Sequence, residues 1–115
     1  MTENQLKIVN KNTMFELVGD DEELIKKFQI EFLQQAKQSI AKLSSAYSES
    51  DFKIIKEESH FLKTSAKAIG AEQTADYLQK LEDTSILNDK NKCKELIILI
   101  NNSIKQVYGV IKNES

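Results

Sequence analysis

Residues 21–47 read DEELIKKFQIEFLQQAKQSIAKLSSAY, and their periodicity decides the fold. Apolar side chains recur at Leu24, Phe28, Phe32, Ala36, Ile40, Leu43 and Tyr47. Steps of three and four set them on one face of a helix, because an α-helix turns once in about 3.6 residues. Neither glycine nor proline interrupts the run. Asp20, with Glu23 three positions on, reads as the N-cap of a capping box.

Outward from this helix the pattern repeats. Upstream, residues 1–12 read as a polar lead-in whose Leu6, Ile8 and Val9 can touch the domain, and a short helix covers Thr13 to Val18 before Gly19. Downstream, Ser48 to Asp51 form a turn and Asp51 caps a helix that buries Ile55, Ser59, Leu62, Ala66 and Ile69 and stops at Gly70. A further helix over 71–84 buries Ala75, Leu78 and Leu81. After a connection at 88–91, the last runs to Lys112 and presents Leu96, Ile97, Ile100, Ile104, Val107 and Ile111. Four amphipathic helices with short connections pool their apolar faces. The expected fold is all-α, an up-down-up-down antiparallel four-helix bundle with a short N-terminal helix, one domain over 13–112.

Composition agrees. The 115 residues are 40% hydrophobic and 30% charged, with three glycines and no proline, too few turn formers for an all-β fold. Sixteen basic and 18 acidic residues leave a net charge of −2, so no general attraction to nucleic acid or to an anionic membrane is expected. The longest aliphatic run, Leu96 to Ile100, is far short of a membrane span, and the first residues lack a signal-peptide pattern. Cys93 is the one cysteine, which excludes an internal disulfide and fits a reducing cytoplasm.

His60 is the one histidine. With Leu62 as the centre of the buried face, Ile55, Ala66 and Ile69 fall within about 40° of it and His60 about 160° away. Lys56, Lys63 and Lys67 project at about 120°, 100° and 140°, which places three ammonium groups in the sector of the imidazole. Thr64 lies about 40° beyond His60. Cations nearby disfavour protonation of an imidazole and offset the charge of a phosphoryl group once it is attached. One histidine and one distant cysteine supply no metal-ligand cluster. No acidic partner for a Ser-His-Asp hydrolase is evident, and no glycine-rich loop for ATP, so neither metal nor cofactor is expected. From position alone, His60 is either a phosphoryl acceptor or an ordinary surface histidine.

The whole stretch narrows that choice. His60-Phe61-Leu62-Lys63-Thr64-Ser65-Ala66, then Ile69-Gly70-Ala71 and later Leu81-Glu82, resembles the histidine-containing phosphotransfer (HPt) domain family. The segment from Phe15 to Phe32, with Leu17-Val18-Gly19-Asp20 before Leu24, is similar to that family's entry into its first long helix. The resemblance implies that His60 is phosphorylated by a receiver-domain aspartyl phosphate and passes the group to a second receiver. The receiver supplies the Mg²⁺, and the domain itself acts as a monomeric carrier without turnover of its own. It also implies that Lys63 contacts the phosphoryl group and that Gly70 ends the helix. Lys67, one turn beyond Lys63, is added on geometry. Thr64 stands where the family usually has glycine; its hydroxyl can donate to a phosphoryl oxygen, and its bulk can narrow the approach to the imidazole. That substitution also keeps a second reading open, a helical adaptor that binds or blocks a receiver or kinase without carrying phosphate.

The remaining features read more simply. Phe61 is either the edge of the core or an exposed docking anchor. Tyr47, Tyr77 and Tyr108 suit the bundle boundary. Cys93 sits in the first turn of the last helix, where the dipole can lower a thiol pKa, though without a catalytic partner it reads as inert.

Overall fold

A computed structural model describes residues 5–113. Five helices account for nearly all of it: α1 (Lys11–Val18), α2 (Glu22–Ser48), α3 (Phe52–Ala68), α4 (Glu72–Ile86) and α5 (Lys90–Asn113). No strand occurs among the described residues.

The ends of these helices follow from side chains that satisfy backbone N–H groups otherwise lacking a partner. Asp51 accepts from the Ile54 N–H at 3.1 Å and starts α3 where expected. The cap of α2 is Asp21, not Asp20: its carboxylate accepts from the Leu24 N–H at 3.1 Å. Gly19, at φ +75°, and Asp20 form the turn before it. Helix α1 begins at Lys11 rather than Thr13 because Asn10 caps it, accepting from the Asn12 N–H.

The long helices form a closed ring of contacts. Helix α2 packs on α3 and α5, and α4 packs on the same two. Phe32, Leu43, Ile55, Leu62, Leu78, Leu81, Ile100 and Val107 fill the centre and are almost wholly excluded from water. Each such side chain contributes about 1.5–3 kcal/mol through burial.

The inward line of α2 differs from the apolar stripe read in the sequence. It runs Gln29, Phe32, Ala36, Ser39, Leu43 and Ala46, while Phe28 is turned out to the surface. Polar Gln29 and Ser39 therefore take places that hydrophobicity alone would deny them. Ser39 is stabilised there by donating to Glu58 at 2.7 Å. Phe28 lies instead in a cleft of about 170 Å³ that includes Met14 and Leu17 of α1 and Ser65 and Ala68 of α3. No helix among the described residues is long and apolar enough to cross a membrane.

Candidate functional site

Helix α3 buries Ile55, Ser59, Leu62 and Ala66, so His60 is turned outward, its side chain 65% exposed. On the α4 side, His60 Nδ1 lies 3.0 Å from Glu82 Oε1. The same oxygen accepts from Lys63 Nζ at 3.2 Å, and Lys63 also donates to Gln79 Oε1 at 2.6 Å. Gln79 in turn donates to Asp83 at 2.9 Å.

This arrangement corrects the expected cluster of three ammonium groups around the imidazole. Lys63 is buried against α4, and the charge in contact with the ring is a carboxylate. Lys56 and Lys67 remain exposed on α3. The physical reason lies in the α3–α4 interface, which is the most extensive in the molecule and covers a wider arc of α3 than its apolar residues mark.

Burial opposes ionisation of Glu82, but hydrogen bonds from Lys63 and His60, together with their charges, outweigh it and hold the carboxyl below its ordinary 4.5. An ionised carboxylate only accepts hydrogen bonds. A neutral His60 therefore carries its proton on Nδ1 and leaves a lone pair on Nε2. Because the folded-state pKa of Glu82 is depressed, its clamp contributes fully above 4.5 and is lost as pH falls through the lowered value. Urea unfolding of wild type and Glu82→Gln is expected to show a stability gap that is full near about pH 6 and closes below about pH 4.5. A gap constant across that range would contradict the clamp.

Thr64 is exposed, and its hydroxyl donates to the His60 carbonyl at 3.2 Å, one turn back along α3. Helix α3 ends at Ala68 with Ile69 as its C-cap, and Gly70, at φ +77°, follows in the turn before α4. Phe61 is 55% exposed and belongs to the surface rather than the core. Cys93 is fully buried; desolvation, aided by the Asp89 charge, pushes its thiol pKa up, so the helix dipole does not activate it. Among the described residues no group of three or more His, Cys, Asp or Glu side chains could hold a metal ion.

A family model described as the Hpt domain matches residues 28–108, well over half of the chain. The chain belongs to the Hpt domain family. Among curated proteins none matches by sequence. A solved structure, histidine-containing phosphotransfer protein B (HptB) from Pseudomonas aeruginosa PAO1, is similar in fold, with a TM-score of 0.86 and 18% identity over 92% of each chain.

In this Hpt domain the contacts of His60 and Lys63 that sequence reasoning did not foresee are Glu82, quoted in the resemblance but given no role, and Gln79. A signal for the carboxylate existed. Glu82 is four residues from Leu78 and seven from Ala75, on the buried stripe of α4. A carboxylate in such a place requires a partner, and Lys63 and His60 supply two.

Proposed function

We propose that this Hpt domain is a phosphorelay intermediary that accepts a phosphoryl group on His60 Nε2 from a receiver-domain aspartyl phosphate and passes it to another receiver. The observation that carries the reading is the exposed imidazole bound through Nδ1 to a carboxylate that also holds a lysine. In the reaction the Nε2 lone pair attacks phosphorus, the P–O bond to the aspartyl carboxylate breaks, and that carboxylate leaves. The ring gains positive charge as the N–P bond forms, and Glu82 offsets it at Nδ1. Transfer onward reverses these steps. Lys67 contacts the phosphoryl oxygens, Lys63 does so once its ammonium leaves Gln79 or Glu82, and Thr64 once its hydroxyl releases the His60 carbonyl. Gly70 keeps a backbone role.

The domain, spanning residues 13–112 in an up-down-up-down arrangement, works as a cytoplasmic monomer with no turnover of its own. Docking is weak and transient, through a modest apolar patch beside His60. Phe61 of α3, Phe28 of α2 and Leu17 of α1 are exposed and support such a patch, Phe28 and Leu17 sharing a cleft with Ser65 and Ala68 of α3.

The test is incubation with receiver domains from the same genome charged with labelled acetyl phosphate. Acid-labile label on the chain is expected, and nitrogen-15 NMR should place the N–P bond at Nε2 of His60. Label at Nδ1 would refute the role given to Glu82. Receiver binding without any label would support the adaptor reading instead.

A further inference from the structure

Helix α1 is too weakly packed to hold its own position. It has eight residues, fewer than the roughly 12–15 at which even a good isolated helix becomes marginal in water, and only Met14 is buried. Phe15 and Leu17 stay 47% and 63% exposed, and beyond Met14 only Val18 of α1, partly buried, packs on the core, with Ile8 and Val9 before the helix doing the same. Its start is also held by a set of hydrogen bonds to the α3–α4 junction, 60 or more residues away in sequence. The Asn10 N–H donates to the Gly70 carbonyl at 2.7 Å, and the Gln73 N–H donates to the Lys7 carbonyl at 3.1 Å. Gln73 Nε2 adds a bond to the Leu6 carbonyl at 3.0 Å. Glu72 closes the set with both oxygens: Oε1 accepts from the Lys7 N–H at 2.9 Å and Oε2 from Asn10 Nδ2 at 3.0 Å.

Glu72 thus grips both ends of residues 7–10, and Asn10 is the N-cap of α1. The carboxylate also sits in the first turn of α4, where the helix dipole favours negative charge. The hydrogen bond from Asn10, then that from Lys7, lower its pKa against a smaller opposing effect of burial, so it is ionised while the grip is closed.

We infer that Glu72 is a positioning residue for receiver docking: by clasping residues 7–10 to the α3–α4 junction it holds α1, and with it Leu17, against the apolar cleft shared with Phe28 of α2 and with Ser65 and Ala68 on the same helix as His60. The inference rests on the phosphorelay reading for the identity of the partner, but not for the clasp itself. Glutamine at position 72 keeps the size of the side chain and turns an amide NH₂, itself a donor, toward a donor.

The full-length Glu72→Gln chain is compared with wild type by amide hydrogen exchange and by transfer from a receiver charged with acetyl phosphate. Exchange in residues 11–18 is expected to speed up about tenfold or more while the cores of α2 to α5 keep their protection. The KM for the receiver should rise about three- to tenfold, with the rate at saturation within about twofold of wild type. Unchanged exchange in α1 would overturn the clasp. Faster exchange with unchanged KM would overturn its role in docking. A wild-type chain that takes no label would sink the phosphorelay reading, and with it the docking role, while exchange still judges the clasp.

Discussion

Glutamine in place of His60 is expected to abolish phosphoryl acceptance, lowering label transfer from a charged receiver by at least about 10³-fold, with the fold untouched. An amide nitrogen has its lone pair delocalised into the carbonyl and cannot attack phosphorus. The same amide still carries N–H donors, so it can keep the hydrogen bond that His60 Nδ1 makes to Glu82. The imidazole is 65% exposed and fills no space in the core. Its replacement should therefore shift unfolding stability by no more than about 0.5 kcal/mol. Radiolabel transfer and a urea unfolding curve on the same preparation check both halves. Label that persists in the variant would place the acceptor elsewhere, and a large loss of stability would mean that His60 is part of the scaffold.

The exposure of His60 was legible because α3 writes its orientation twice. Its apolar residues form a narrow stripe, and Ile55, Ser59, Leu62, Ala66 and Ile69 are all buried as their spacing predicts. The residue opposite that stripe must face out. The surroundings of His60 were harder to read, because they come from another helix. A helical wheel on α3 puts Lys63 at the border of the apolar face, and only the presence of α4 decides that it is covered. Glu82 was in view on the stripe of α4, but a search for apolar periodicity passes over a charged residue in an apolar register.

Helix α2 shows the same weakness in another form. Phe28 and Gln29 are neighbours, and the hydrophobic one is the natural choice for the core, yet the packing takes Gln29. Phenylalanine is left at the surface where α1 and α3 converge. The misreading of Asp20 for Asp21 as a cap is smaller, since two adjacent acids differ by one residue in register.

Gly70 was legible as a helix end and illegible as a socket, and alanine there should cost far more than a helix end would suggest. At φ +77° an L-residue is strained by about 1–2 kcal/mol. An added Cβ would also lie 2.3 Å from the Asn10 carbonyl oxygen and 3.0 Å from Thr13 Oγ1. The first of these is backbone, so no change of rotamer relieves the overlap and residue 10 must move. Movement there stretches the 2.7 Å bond from the Asn10 N–H to the Gly70 carbonyl and the bond from Asn10 to Glu72. Together these effects should lower stability by roughly 2–4 kcal/mol and remove exchange protection from α1. Gly19 provides the internal control, because its φ is +75° but a Cβ there meets nothing within 4 Å. Gly19→Ala should show backbone strain without a clash, about 1–3 kcal/mol, because φ +75° with ψ −155° is a region that essentially only glycine adopts. A loss at Gly70 of only about 1–2 kcal/mol by urea unfolding, with exchange in α1 unchanged, would mean that the contact between Gly70 and residue 10 has no energetic weight. A larger loss at Gly70, with exchange rising in residues 11–18, would show that one glycine both ends α3 and anchors α1.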